Sequence, residues 1–437
     1  MKSRWIALLL ATVCLSSPAP AAAPWLRGRD ARPIEPVDIP PSIQAGVDMI
    51  YVDPDLAPEV RKREGLLQEL GLADEPGAPI DMFQPLSPFY TALRRGLASY
   101  RAQWARLPQI EVPAGPVLKP GATGERVALL RERLGLPAGT AYDESLAKAV
   151  KGYQQVHGMK ADGVAGASTM ASLNLGADHY QRLLMLNLDR ARTLPASDAE
   201  GRYILVDAGA ARLYMFEGGK LRDSMKVIVG KAASATPMMA AMLRYASVNP
   251  YWNVPVDLAQ TLVAPKVLSE GLSHIQSERY QILSDWYEHA EEVDPASVDW
   301  QAVAEGKTEL RVRQLPGRNN SMGAIKFMMP NDYGIYLHDT NDKALFARDE
   351  RWISNGCVRV EDAGRLARWL FGEMPKGKDP KVEEDVELPA PVPVYITYMT
   401  AEAGAGGVRF RSDPYGRDAP LIARYAGASE YTRPPRS

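Results

Sequence analysis

Cysteine is almost missing from this sequence: 437 residues carry two, Cys14 and Cys357. A disulfide framework is thereby excluded, since it needs several pairs at workable spacings. Histidine is also scarce, with five in the chain. His157, His179, His274 and His289 stand without ligand spacing, so no metal site is suggested. Charge of one sign is lacking too. Formal net charge is -2 and neither half carries a basic block, so neither nucleic acid nor an anionic membrane surface is favoured as partner. Beyond the first two dozen residues no apolar run approaches the ~20 residues of a spanning helix, so no membrane span is expected. What remains is an ordinary globular composition, long enough for two or three domains with their own cores.

The N-terminus reads "MKSRWIALLLATVCLSSPAPAAAPW": Lys2 and Arg4, an apolar run from Trp5 to Leu15, then small residues. It predicts a secretory signal peptide over 1–21 and export. Cleavage after Ala21 is preferred to cleavage after Ala23, which would put Pro24 next to the cut bond. Cys14 leaves with the peptide. The thiol left over, Cys357, is then buried and inert, an intermolecular link, or reactive.

Along the chain the texture changes several times. Residues 22–112 predict an N-terminal helical scaffold. Its clearest stripe is Tyr90, Leu93, Leu97, Tyr100 and Trp104, at three- and four-residue steps. Residues 113–176 predict a small three-helix bundle, with one helix from about Glu125 to Leu134, a second N-capped by Asp143, and a third after Ser168. A scaffold return helix follows at 177–199. From there the pattern is mainly strand-like over 200–385, with Gly218-Gly219 as a hairpin turn and a polar, helix-like, lid-like insertion at about 256–305. Residues 386–437 predict C-terminal strands completing this domain, and a tail. The fold class expected is therefore α+β and multidomain.

The chemistry gathers around "HDTNDKALFARDERWISNGCVRV", 338–360, where Cys357 follows His338 by nineteen positions. A thiol attacks only as thiolate, and a free cysteine of pKa ~8.5 is mostly protonated at neutral pH. Two units of lowering need roughly 2.7 kcal/mol, within reach of one imidazolium and backbone donors. His338, at the end of the β-like run Ile335, Tyr336, Leu337, is the candidate imidazolium. Gly356 permits a sharp turn and close substrate approach. The amides of Gly356 and Cys357 are candidates for an oxyanion hole, and Arg359, on the same side of an extended segment as Cys357, for gripping a substrate carboxylate. Asp362 is read as the cap of a helix from about Ala363 to Phe371 that supports the loop. Against this, a lone cysteine is among the most often buried residues. Spacing alone leaves both readings open.

Two resemblances bear on the choice. "LKPGATGERVALL", "YQQVHG" and "ADGVAGASTMASL" resemble the peptidoglycan-binding type 1 module. "YLHDT" followed by "SNGCVRV" resembles the signature of the L,D-transpeptidase (YkuD-type) catalytic domain, a histidine followed by Ser/Thr-x-Gly-Cys-x-Arg. "TPMM" (236–239), "NPYWNVP" (249–255) and "GAIKFMMPNDYGIYLHDT" are similar to the YcbB-like subgroup, from about residue 45 onward. The resemblance implies Cys357 as nucleophile and His338 as general base, then acid. It implies Gly356, Ser354 and Asn355 as motif and oxyanion support, and Arg359 and Tyr336 on the substrate. Asn355 stands where many members have histidine. The implied reaction, in the periplasm and with no cofactor or metal required, is 3→3 crosslinking of peptidoglycan stem peptides through a thioester, with carbapenems as inhibitors and other wall-synthesis proteins as partners.

Three rivals stand beside it. Ser145-Leu146-Ala147-Lys148 matches the S-x-x-K of serine D,D-transpeptidases, but without its partner motifs. The chain could instead be a non-catalytic wall-binding protein. Lastly, the same thioester could be resolved by water or a protein lysine, giving an L,D-carboxypeptidase or an anchoring enzyme.

Overall fold

The computed structural model describes residues 51–53, 56, 86–286 and 290–423. The expected signal peptide, an amphipathic stretch at 57–72, His289 and the tail after 423 lie outside the described residues.

Four helices precede the first strand among the described residues. Ser87 caps α1 (Pro88–Gln103), its Oγ accepting from Phe89 N at 3.3 Å. α1 buries Tyr90, Leu93, Leu97 and Tyr100, the stripe that the spacing predicts, and Trp104 falls on its C-cap. α2 (Glu125–Arg133) starts after Gly124, whose φ of 118° suits glycine. α3 (Glu144–Val156) is capped by Asp143, which accepts from Leu146 N at 2.9 Å. α4 (Ala167–Arg192) fuses the third bundle helix with the return helix across a break at Gly176 (φ 78°, ψ 164°). Val127, Leu130, Leu146 and Val150 form the fully buried centre of the bundle.

The strand-rich region opens with β1 (Arg202–Asp207), β2 (Arg212–Glu217), β3 (Lys220–Gly230) and β4 (Met239–Val248). Gly218 and Gly219, with φ of 56° and 68°, make the β2–β3 turn, where a two-residue hairpin needs two positive φ values. The insertion then departs from the simple helical expectation. It comprises β5 (Trp252–Val254), α5 (Ala264–Glu270), α6 (Ser273–Ser277), β6 (Tyr280–Leu283), α7 (Trp300–Ala304) and β7 (Arg311–Gln314). Its strands form a separate three-stranded sheet, β5-β7-β6. β6 has four residues and pairs with β7 across a long loop, a contact that local periodicity does not register. Trp252, Val263, Ile282, Trp300, Val312 and Met322 give the lid its own core.

β8 (Ile325–Met328), β9 (Leu337–His338), β10 (Trp352–Ser354), β11 (Val358–Val360), α8 (Ala363–Phe371) and β12 (Glu384–Thr397) complete the domain. The nine-stranded sheet runs β10-β3-β11-β9-β8-β4-β12-β1-β2, and β2 also pairs with β3. Along one edge of β3, Val227 N bonds Ala211 O and Val229 N bonds Arg351 O; β11 takes the other edge. Eight strands therefore close into a barrel, and β10 extends it. Ile204, Val206, Leu213, Val227, Phe327, Leu337, Val358 and Ile396 fill the interior. Asp362 caps α8, accepting from Arg365 N at 2.8 Å, and Leu366 and Leu370 pack on the same core.

β1 is buried on both faces. Ile204 and Val206 point into the barrel, while Tyr203 and Leu205 join a second core with Leu93 and Leu184 of the helical scaffold and Phe410 near the C-terminus. That explains the uninterrupted apolar run "YILV" in place of alternation. The final hairpin, β13 (Ala401–Gly404) and β14 (Gly407–Phe410), packs against α1 and α3.

Candidate active site

Three neighbouring strands set the site in two rows. Lys326 of β8 is in register with His338 of β9, and His338 with Arg359 of β11; one step along, Phe327, Leu337 and Val358 are likewise in register. Side chains alternate across a strand, so the second row fills the barrel and the first lies on its outer wall. Burial agrees: Phe327, Leu337 and Val358 are fully buried core residues. Two residues back on the same face stand Tyr336 and Cys357. The barrel thus brings Cys357, His338, Arg359 and Tyr336 onto one face, as the sequence predicts, and adds Lys326.

Two loops hold the thiol. In "MPNDYGIY", Asn331 is buried, and its Nδ2 donates to Met329 O and Ile335 O while its Oδ1 accepts from Tyr333 N and Ile335 N. This knot presents Gly334 O, to which Cys357 Sγ donates at 3.6 Å. In "SNGCVRV", Ser354 Oγ donates to Cys357 O at 2.7 Å and accepts from Gly356 N at 3.2 Å. Ser354 O accepts from Lys231 N, and Val358 N donates to Tyr336 O. The Gly356 amide is therefore taken. The Cys357 amide has no hydrogen-bond partner among the described residues, which leaves it as the open donor of the pair considered for an oxyanion hole. Asn355 is exposed and its side chain makes no hydrogen bond among the described residues. It stands apart from the inner cluster.

The lid meets this wall at Tyr336. Tyr336 packs against the lid core, and its hydroxyl donates to Met322 Sδ at 3.5 Å.

Two family models match the chain: "L,D-transpeptidase catalytic domain" (YkuD) over residues 201–394, and "Putative peptidoglycan binding domain" over 124–173. The first contains every residue of the two rows. Residues 201–394 are thus similar to a YkuD-type L,D-transpeptidase catalytic domain. A Haemophilus influenzae protein named "Putative L,D-transpeptidase" is 34% identical over 242 residues, covering 54% of this chain and 48% of that one. This chain thus spans about half the length of the curated relative that it matches. Among solved structures, it is similar to an L,D-transpeptidase from Xylanimonas cellulosilytica (17% identical, 65% of this chain and 98% of that chain, TM-score 0.21). Another is L,D-transpeptidase 3 from Mycobacterium tuberculosis (9% identical, 45% and 61%, TM-score 0.24).

Within residues 201–394 the resting charges differ from the imidazolium expected of His338. Burial, and then the neighbouring Arg359 guanidinium, push the His338 imidazole down to about 3, so it is neutral at rest. Its Nδ1 is buried without a hydrogen-bond partner among the described residues. Burial also pushes the Cys357 thiol up, opposed by the Tyr336 backbone and hydroxyl and by Arg359 and Lys326. Tyr336 is raised well above the ordinary phenol value by burial, and then by Cys357. Cys357 and His338 therefore rest as neutral thiol and neutral imidazole, with a cationic rim. Burial lowers Arg359 too, and its Nε is buried and unpartnered among the described residues, a guanidinium with spare donors beside the thiol. Lys326 is committed elsewhere, to Glu383 at 2.7 Å.

No group of three or more histidine, cysteine or acidic side chains fit for a metal ion is found among the described residues. Ser145 and Lys148 are both exposed, and Ser145 Oγ donates to Asp143, so the S-x-x-K match forms no buried nucleophile. Sequence reasoning missed Lys326, Asn331 and Gly334. The alternation in "AIKFMM" does place Lys326 opposite the inward Phe327, and that was the available signal.

Proposed function

We propose that this protein is an exported L,D-transpeptidase that forms 3→3 peptidoglycan crosslinks through a thioester on Cys357. The observation that carries the reading is the outer row of the barrel wall, where a half-buried thiol, a neutral imidazole and a guanidinium with an unpartnered Nε share one face. Arg359 holds a carboxylate of the stem tetrapeptide, and Tyr336 lines the cleft under the lid. His338 takes the thiol proton as Cys357 Sγ attacks the carbonyl of the L,D-bond. The Cys357 amide receives the oxyanion. As the tetrahedral intermediate collapses, the C–N bond breaks and His338 returns the proton to the departing D-amino acid. A neighbouring stem amine, of diaminopimelate type, then attacks the thioester, passing its proton through His338 to the thiol.

The neutral resting pair suits this order of events, because imidazole can accept a proton only if it starts without one. The lid supports transfer to an amine over hydrolysis, since a covered site limits water. Wall binding by the 124–173 module and location in the periplasm belong to the same reading.

Incubation of the purified protein with sacculi, followed by mass spectrometry of released muropeptides, tests it. The expected result is 3→3 dimers that vanish in Cys357→Ala; dimers that persist in that variant overturn the reading. Tripeptides without dimers would identify a carboxypeptidase, and lysine-linked protein an anchoring enzyme.

A further inference from the structure

The oxyanion role needs the Cys357 N–H to face the attacked carbonyl, and the sequence motif does not itself secure that. Gly356 has φ of 122°, a region open to glycine, and the peptide that follows it is free to rotate about soft torsions. Something outside the motif must hold that peptide. The loop after β3 supplies it. Thr236 is fully buried; its Oγ1 accepts from Gly230 N at 2.9 Å and donates to Gly356 O at 2.7 Å. The loop is tightly folded onto β3: a Cβ on Gly230 would lie 2.0 Å from Ser234 O and 2.7 Å from Thr236 N. Tyr415, from the C-terminal segment, has its buried hydroxyl beside Thr236 and closes the pocket behind it.

In a trans peptide, C=O and N–H point in opposite directions. Tying Gly356 O to Thr236 therefore turns the Cys357 N–H away from the loop, and it is the amide left without a partner among the described residues. Ser354 Oγ ties Cys357 O on the other side, so both peptides flanking the nucleophile are clamped by hydroxyls.

We propose that Thr236 is a positioning residue for acyl transfer, its hydroxyl fixing the Gly356–Cys357 peptide so that the Cys357 N–H meets the oxyanion. The proposal rests on the acyl-transfer reading above. Its distinguishing mark is chemical: acylation develops an oxyanion, whereas alkylation by iodoacetamide displaces iodide at a saturated carbon and needs only the thiolate.

The test compares the rate of acylation by a stem tetrapeptide or a carbapenem with the rate of iodoacetamide alkylation, both followed by mass. Thr236→Val should slow acylation by about 10²-fold, the usual loss of an oxyanion donor, while alkylation stays within about threefold of wild type. Thr236→Ser should restore the wild-type ratio. Equal loss of both rates, or undiminished acylation, overturns the proposal. If Thr236→Val does not fold, Thr236→Ser still decides, because a shifted ratio with the hydroxyl retained also overturns it. A wild-type protein that is alkylated at Cys357 but never acylated overturns the acyl-transfer reading and this proposal with it. Normal wild-type acylation matched by Thr236→Val overturns the proposal alone.

Discussion

The neutral resting pair can be tested through the pH dependence of Cys357 alkylation. At pH 7 an imidazole titrating at about 3 is protonated in about one molecule in ten thousand, so no imidazolium helps to hold a thiolate. With burial raising the thiol, the alkylation rate should climb along a single limb with its midpoint above the ~8.5 of free cysteine. There should be no plateau between pH 5 and 7. The cations facing the thiol oppose burial, and Arg359 precedes Lys326 among them. A full charge at close range moves a pKa by ~1–3 units, so Arg359→Gln should move the midpoint up by about one unit. At pH 7 that is about tenfold slower alkylation, or about 1.4 kcal/mol. His338→Ala should leave the limb nearly where it was, since a neutral ring adds no charge. Stopped alkylation sampled from pH 5 to 10 in the three proteins gives the comparison. A wild-type plateau near pH 6, or a midpoint that rises in His338→Ala, would show a resting ion pair and refute the reasoning.

Two further expectations concern stability. Ser354 is buried and ties both Gly356 N and Cys357 O. Ser354→Ala should cost about 2–4 kcal/mol from two orphaned backbone groups, whereas exposed Asn355→Ala should stay within about 0.5 kcal/mol, both read by denaturant melts. His157, stacked on Tyr153 and hydrogen-bonded to Tyr100, is pushed down to about 4 by burial. A depressed imidazole contributes stability that is complete above its unfolded value of ~6.5 and is lost as pH falls toward 4. Wild type should therefore lose roughly 3 kcal/mol more than His157→Asn between pH 7 and 4. Parallel pH curves of unfolding free energy for the two proteins would contradict that origin.

Much of this fold was legible because its signals are local. Asp143 and Asp362 cap helices where their side chains predict, and Gly218-Gly219 turns a hairpin because both positions need positive φ. Placing Cys357 and Arg359 on one side followed from strand alternation. What escaped is non-local. The β2–β3 pairing that closes the barrel, the lid sheet formed across long loops and the partnership of Thr236 with Gly356 join residues 120 positions apart in the last case. Resting charge escaped for a related reason: His338 reads as an ordinary imidazole until the strands bury it and set Arg359 and Lys326 on either side of it. The Gly356 amide looked free in the sequence because nothing in "SNGC" announces that Ser354 folds back onto it.

The helical bundle is welded to the rest of the molecule. α4 runs from the bundle into the scaffold, His157 bonds Tyr100 of α1, and Gly158 lies so close to Phe410 O that an added Cβ would sit 2.4 Å away. A module on a flexible linker searches a volume set by tether length, and its benefit is effective concentration. This one has no such slack. On the wall-binding reading proposed above, a ligand of the bundle would sit at a fixed offset from the Cys357 thiol, with no tether length to average over.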